Sequence, residues 1–128
     1  MSDFSRGIVS VERGRQAGLK VGNLDAVRDF LDVEDATRAF WTLAEKGTPG
    51  EVYNVCSGTG YSIQQVLDRL ISMADSPVQV ERDQSRMRPA DEPVLIGDNS
   101  RLKALGWKPV VPLDRSLGNI LDAWRAKG

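Results

Sequence analysis

Hydrophobic and polar positions along this chain alternate with two different periods, and the switches between them predict its elements. From Ser2 to Gly14 the apolar residues Phe4, Ile8 and Val9 recur at helical spacing, with Ser2 placed to cap and Gly14 to stop. Leu19-Lys20-Val21 has the pattern of a short strand, and Gly22-Asn23-Leu24-Asp25 that of a turn. Arg28 to Val33 alternates as an extended segment and leads into a helix over Glu34–Lys46. Asp32 is its predicted N-cap, Asp35 adds negative charge to the first turn, and Gly47 is the stop. Val33, Ala36, Ala39, Phe40, Leu43 and Ala44 form its predicted apolar stripe.

Beyond the turn Thr48-Pro49-Gly50, the run Glu51–Cys56 is the best strand candidate, rich in β-formers and closed by Ser57-Gly58. Gly58-Thr59-Gly60 then reads as a strand-to-helix turn. Ser62 and Gln65 have capping-box spacing, followed by Ile63, Val66, Leu67, Leu70, Ile71 and Ala74 on one helical face. Val78–Glu81 alternates as another strand, and Asp83–Pro93 is irregular and charged. Asp98 or Asn99 caps a brief helix from Ser100 to Leu105, stopped by Gly106. Pro112 precedes a last amphipathic helix carrying Leu117, Ile120, Leu121 and Trp124. No repeat or linker interrupts this order, so the expectation is a single α/β domain over residues 1–128.

Charge adds little to this picture. Seventeen basic against eighteen acidic side chains give a net charge of −1, with no basic footprint for nucleic acid. No apolar run is long enough to cross a bilayer, and residues 1–6 do not read as a secretory signal, so a cytoplasmic location is expected. The single cysteine, Cys56, suits a reducing compartment and reads as a small core side chain.

The candidate chemistry is narrowed by what is missing. With no histidine, Ser-His-Asp and Cys-His catalysis are excluded, as are histidine-ligated zinc sites. Gly58-Thr59-Gly60 lacks the third glycine of a dinucleotide fingerprint. Asp29, Asp32 and Asp35 read as structural and Trp41, Trp107 and Trp124 as packing residues.

Two segments do not explain themselves as scaffold. One is Asn23-Leu24-Asp25-Ala26-Val27-Arg28-Asp29-Phe30, an arginine between a turn and an apolar strand. The other is Arg86-Met87-Arg88-Pro89-Ala90-Asp91-Glu92, a proline-stiffened loop with two arginines and two acids. A guanidinium offers a rigid fork of donors that matches phosphate oxygens, and a neighbouring carboxylate can accept from sugar hydroxyls. Composition alone favours surface or intrachain ion pairs for both arginines.

The segment Val21–Asp35 resembles the stretch after the catalytic helix in extended short-chain dehydrogenase/reductases. Gly50–Gly58, Tyr61-Ser62-Ile63, Arg86–Asp91, Gly97–Ser100 and Leu105–Pro109 continue the match from about Ser2 to Trp124. The Gly-Asn-Leu-Asp-Ala-x-Arg-Asp form at residues 22–29 is most similar to the GDP-mannose 4,6-dehydratases and GDP-4-dehydro-6-deoxy-D-mannose reductases. The resemblance implies that Arg28 and Arg88 contact the diphosphate of a GDP-sugar and that Asp91 accepts from the ribose. It puts Arg86 and Asn23 near the same ligand, and the segment around Arg6 with them. Gly7 stands where relatives carry a longer polar residue.

The same resemblance implies a cofactor half with a G-x-x-G-x-x-G turn, a Tyr-x-x-x-Lys pair and bound NADP or NAD. Neither motif occurs here: Tyr53 is followed four residues later by Ser57, and Tyr61 by Gln65. An intact relative would run to roughly 300 residues or more in two α/β lobes. The expectation is therefore the C-terminal, substrate-binding part of such an enzyme, lacking the Rossmann cofactor half, inactive alone and holding no cofactor. Dehydratase and reductase branches stay open. So do a stand-alone nucleotide-sugar binding or regulatory module and a purely structural or assembly role. In the family the strand at Glu51–Cys56 joins the sheet of the cofactor half, so this chain by itself is expected to form a homo-oligomer or to need that half as partner.

Overall fold

The computed structural model describes residues 1–88 and 92–127. In chain order it has α1 (Ser2–Glu12), β1 (Leu19–Val21), β2 (Val27–Asp29), α2 (Val33–Lys46), β3 (Gly60–Ser62), α3 (Ile63–Ser72), β4 (Val80–Arg82), a 3₁₀ turn (Gln84–Arg86), β5 (Val94–Leu95), α4 (Ser100–Ala104) and α5 (Leu113–Ala126). β1 and β4 form a parallel pair in which Lys20 lies opposite Glu81. The other sheet has the order β3-β2-β5, with β3 antiparallel and β5 parallel to β2.

The main core is built by α1, α3 and α5 closing over β1. Ile8, Val9, Leu19, Val21, Val66, Leu67, Leu70, Leu117 and Leu121 are all buried there. This follows from the amphipathic spacing of each helix, since the predicted α3 face supplies Val66, Leu67 and Leu70. Both halves of the capping box form: Ser62 Oγ accepts from the Gln65 amide at 3.0 Å, and the Gln65 side chain accepts from the Ser62 amide at 2.8 Å. A smaller core joins Ala39, Leu102 and Trp107 beside α2 and α4.

Several local expectations need correction. Glu51–Cys56 forms no strand, because among the described residues no strand runs beside it to complete a ladder. Side chains take up its carbonyls instead: Arg101 donates to Val52 at 3.1 Å and Asn99 to Cys56 at 2.9 Å. Strand β3 begins in the predicted turn at Gly60 and β5 directly follows the irregular stretch that ends at Pro93; two or three residues carry too little periodicity to announce a strand. Ser2 does not cap α1. It lies inside the helix, and its hydroxyl accepts from Trp124 Nε1 at 3.2 Å.

The stripe of α2 is also turned from its predicted position. Asp35 and Ala39 are its buried residues, whereas Val33 is 75% and Phe40 63% exposed. Trp41, expected to pack, is 69% exposed, while Trp107 is buried. Asp32 does cap α2, accepting from the Glu34 amide at 2.8 Å. Asp98 provides the capping acceptor for α4, taking the Ser100 amide at 2.9 Å, although Asn99 occupies the N-cap position. No helix among the described residues is long and apolar enough to cross a membrane.

Candidate functional site

A cleft of about 1080 Å³ opens between α1 and the β1–β4 pair. Alternation along β1 turns Leu19 and Val21 into the core and Lys20 to the opposite, exposed face, so the strand supplies the cleft with a cation. Phe4 and Val80 add apolar lining. Arg6 comes from α1, Arg86 from the 3₁₀ turn and Arg88 from the segment after it. Asp3 and Glu81 are the acids among the lining residues, so cations outnumber carboxylates.

Side chains of the first arginine motif reach the backbone of the second. Asn23 Nδ2 donates to the Arg88 carbonyl at 3.0 Å, and an Arg28 terminal nitrogen donates to the Glu92 carbonyl at 2.8 Å. These bonds tie both sides of residues 89–91 to the first motif. Asp91, an expected ribose contact, lies outside the described residues.

Arg28 stands apart from Arg86 and Arg88. On β2 it lies opposite Tyr61 and Leu95, and it lines a separate concavity of about 560 Å³ with Asp29, Asn54, Cys56 and Gly97. Its bonds to the carbonyls of Val27 and Glu92 leave from the same terminal nitrogen. The other terminal nitrogen and Nε carry further N–H donors.

Asp29 is a bracket beside Arg28. Its carboxylate accepts from the Ser57 amide and hydroxyl, the Gly58 amide and the Gly97 amide at 2.7–3.2 Å. Cys56 is half-buried, and burial, with the Asp29 charge second, pushes its thiol up from the ordinary range. That disfavours the thiolate a nucleophile needs. Among the described residues no group of three or more His, Cys, Asp or Glu could hold a metal ion. The arrangement is suited to binding an anion attached to a partly apolar group.

Sequence reasoning missed Lys20. Its signal was available, since the middle residue of a buried-exposed-buried strand must face away from the core. Arg6 lies in a segment expected near the ligand without an assigned contact, and it lines the cleft with Lys20.

The fold is that of the C-terminal part of an extended short-chain dehydrogenase/reductase. With its residues 1–119 matching the family described as GDP-mannose 4,6 dehydratase, the chain belongs to that family. It is 38% identical to the GDP-6-deoxy-D-mannose reductase of Pseudomonas aeruginosa over 99% of its own length and 42% of the relative's. It is 31% identical to GDP-mannose 4,6 dehydratase 2 of Arabidopsis thaliana over 93% of this chain and 32% of that one. Among solved structures, RMD from Pseudomonas aeruginosa complexed with NADPH superposes with a TM-score of 0.92 at 36% identity, covering 99% of this chain and 42% of that chain. The Thermotoga maritima UDP-glucose 4-epimerase solved with UDP-glucose gives 0.72 at 27%, covering 98% and 38%. The chain thus spans less than half the length of these relatives.

Proposed function

We propose that this chain is the nucleotide-sugar binding portion of a GDP-mannose 4,6-dehydratase or a GDP-4-dehydro-6-deoxy-D-mannose reductase, with a GDP-hexose as ligand and no catalysis of its own. The observation that carries the reading is the cleft in which Arg86 and Arg88 join Lys20 and Arg6 beside the apolar side chains of Phe4 and Val80. Such a surface can neutralise a diphosphate while burying part of a base. Arg28, Arg88, Arg86, Asn23 and Asp91 are the proposed ligand-side residues, Asn23 through its bond to the Arg88 carbonyl and Arg28 from a separate concavity.

The nicotinamide cofactor belongs to the intact enzyme, and the residues here do not fit it. A dinucleotide pyrophosphate needs a glycine turn whose backbone is open to approach. At the one G-x-G of this chain, a Cβ on Gly60 would lie 2.5 Å from Ile96 Cδ1 and 2.8 Å from Val27 Cγ1. The space beside that glycine is filled by the protein's own side chains.

The test is calorimetric titration with GDP, UDP and GDP-mannose, repeated on Arg28→Ala and Arg88→Ala. Saturable, GDP-selective binding is expected, weakened by about 1–3 kcal/mol for each arginine as a charge-assisted hydrogen bond would be. No nucleotide binding by demonstrably folded protein would overturn the reading for this chain.

The exposed apolar side chains support a role as part of a larger assembly. Val33, Phe40 and Trp41 lie exposed on α2, and Val52, Val94, Leu95 and Ile96 are exposed elsewhere. Of these, Val94, Leu95 and Ile96 are consecutive in the chain, and an exposed apolar run is costly in water. A cofactor half or a second copy of the chain would cover it. By itself the chain is expected to run above monomer mass in size-exclusion chromatography with light scattering; a stable monomer at micromolar concentration would refute this.

A further inference from the structure

We propose that Gly22 and Asn23 form a positioning clamp that holds the segment Arg82–Arg88 at the edge of the cleft; the inference rests on the nucleotide reading of that cleft. Three contacts make the clamp. The Asp83 amide donates to the Val21 carbonyl at 2.8 Å, continuing the β1–β4 pairing by one residue. At Gly22 a Cβ would lie 2.2 Å from the Arg86 carbonyl oxygen, so the segment sits this close only because position 22 has no side chain. The Asn23 side-chain nitrogen Nδ2 then donates to the Arg88 carbonyl at 3.0 Å.

Asn23 is itself held. Its Oδ1 accepts from the Asp25 amide at 2.9 Å, an Asx turn that aims the amide nitrogen at Arg88. Within the segment Asp83 caps the 3₁₀ turn, accepting from the Ser85 amide and hydroxyl at 3.0 and 2.7 Å, but these bonds are internal to it and do not fix it against the cleft. Val80, Glu81 and Arg82 are all exposed, and the Arg86–Asp83 ion pair at 3.3 Å has an arginine side chain 62% exposed, where such pairs contribute little. A loop with two free arginines would lose conformational entropy on gripping a phosphate, and a clamp removes that cost beforehand. Gly22, Arg86, Arg88 and Lys20 line one cleft, so the clamp orders the cations that face the ligand. Asn23 acts through Arg88.

Asn23→Ser separates this from direct contact. Its hydroxyl can still accept from the Asp25 amide but is too short to reach the Arg88 carbonyl. GDP is titrated into the unsubstituted chain, Asn23→Ser, Arg88→Ala and the double variant. Asn23→Ser is expected to weaken GDP about tenfold in the parent and less than about twofold in the Arg88→Ala background, the non-additivity of residues acting as one unit. Trypsin is expected to cut Arg86–Met87 about fivefold faster in Asn23→Ser, since cleavage follows local opening. Gly22→Ala is expected to repeat the loss of affinity, and if it fails to fold the Asn23 series still decides.

Equal losses in both backgrounds would overturn the clamp, because Asn23 would then touch the nucleotide itself or support only the fold. Faster cleavage with unchanged GDP affinity would overturn it too. Absence of GDP binding by the unsubstituted chain would sink the nucleotide reading and the clamp together, whereas binding with additive losses sinks the clamp alone.

Discussion

Asp35→Ala is expected to destabilise the chain by about 3–4 kcal/mol, as the loss of a buried carboxylate that two backbone amides and an arginine donate to should. Asp35 is 1% exposed at the start of α2. Its two carboxylate oxygens accept from the amides of Val110 and Val111 at 3.1 and 3.0 Å, and Arg38 pairs with the same group. Its backbone carbonyl accepts from the buried Trp107 indole at 3.0 Å. One residue therefore ties α2 to the connection between α4 and α5. Alanine leaves two part-buried amides without their acceptor, each costing about 1–3 kcal/mol, while the half-exposed Arg38 keeps its bond to the Lys108 carbonyl. Asparagine should recover part of the loss, since one of its two terminal atoms can still accept. Urea unfolding measures this through the midpoint at constant slope. A loss below about 1 kcal/mol would show that water replaces the carboxylate, a result at odds with the burial.

The same residue makes stability depend on pH. Burial pushes the Asp35 carboxyl upward, but the Val111 and Val110 amides and Arg38 outweigh it and hold the group below its ordinary value of 3.8. Glu12 is likewise held below 4.5, chiefly by its hydrogen bond from Arg125 against an opposing burial effect. A carboxylate with a depressed folded pKa contributes stability that is fully present above its unfolded value and lost as pH falls through the folded one. Stability is thus expected to be level from about pH 5 upward and to decline below about pH 4.5. Urea midpoints between pH 3 and 7 test this. In Asp35→Ala the plateau should be lower and the acid slope shallower. An unchanged slope would assign the acid sensitivity elsewhere.

Asp29→Ala is expected to cost about 2–4 kcal/mol and, unlike Asp35→Ala, to weaken nucleotide binding as well. The carboxylate gathers donors from positions 57, 58 and 97 onto the end of β2, next to Arg28. Losing it releases both the turn after Cys56 and the entry to α4 while the main core stays packed. Hydrogen exchange should therefore show the amides of Ser57, Gly58 and Gly97 losing protection while those of α3 and α5 keep theirs. Unchanged protection at those three amides would refute the bracket. A uniform loss across the chain would make Asp29 a global stability residue instead.

How these aspartates read in the sequence marks the limit of local reasoning. Asp29, Asp32 and Asp35 are legible as structural, and Asp32 is legible as a cap because its partner amide is two residues away. Nothing local identifies Asp35 as the buried pivot of α2, since its partner amides lie 75 and 76 residues on. That pivot also decides which side of α2 faces inward. Val33 and Phe40 look like core on periodicity and Trp41 reads as a packing residue, yet the burial of Asp35 and Ala39 turns all three outward. The candidate site divides the same way. Its arginines stand out as motifs, but only the fold separates Arg28 from Arg86 and Arg88 and adds Lys20 to the second pair.

By itself the sequence determined the order of helices, the capping of α2 and α3, the α/β class and the family of the chain. Those features rest on hydrogen bonds and side-chain spacings within four residues, or on motifs whose spacing is preserved as a string. The tertiary structure decided that Glu51–Cys56 is not a strand, that residues 60–62 and 94–95 are, and that Asn23 reaches Arg88. A ladder such as Val27 opposite Val94 joins residues far apart in the chain, and its energy depends on which neighbour arrives. Only the packed molecule specifies that neighbour.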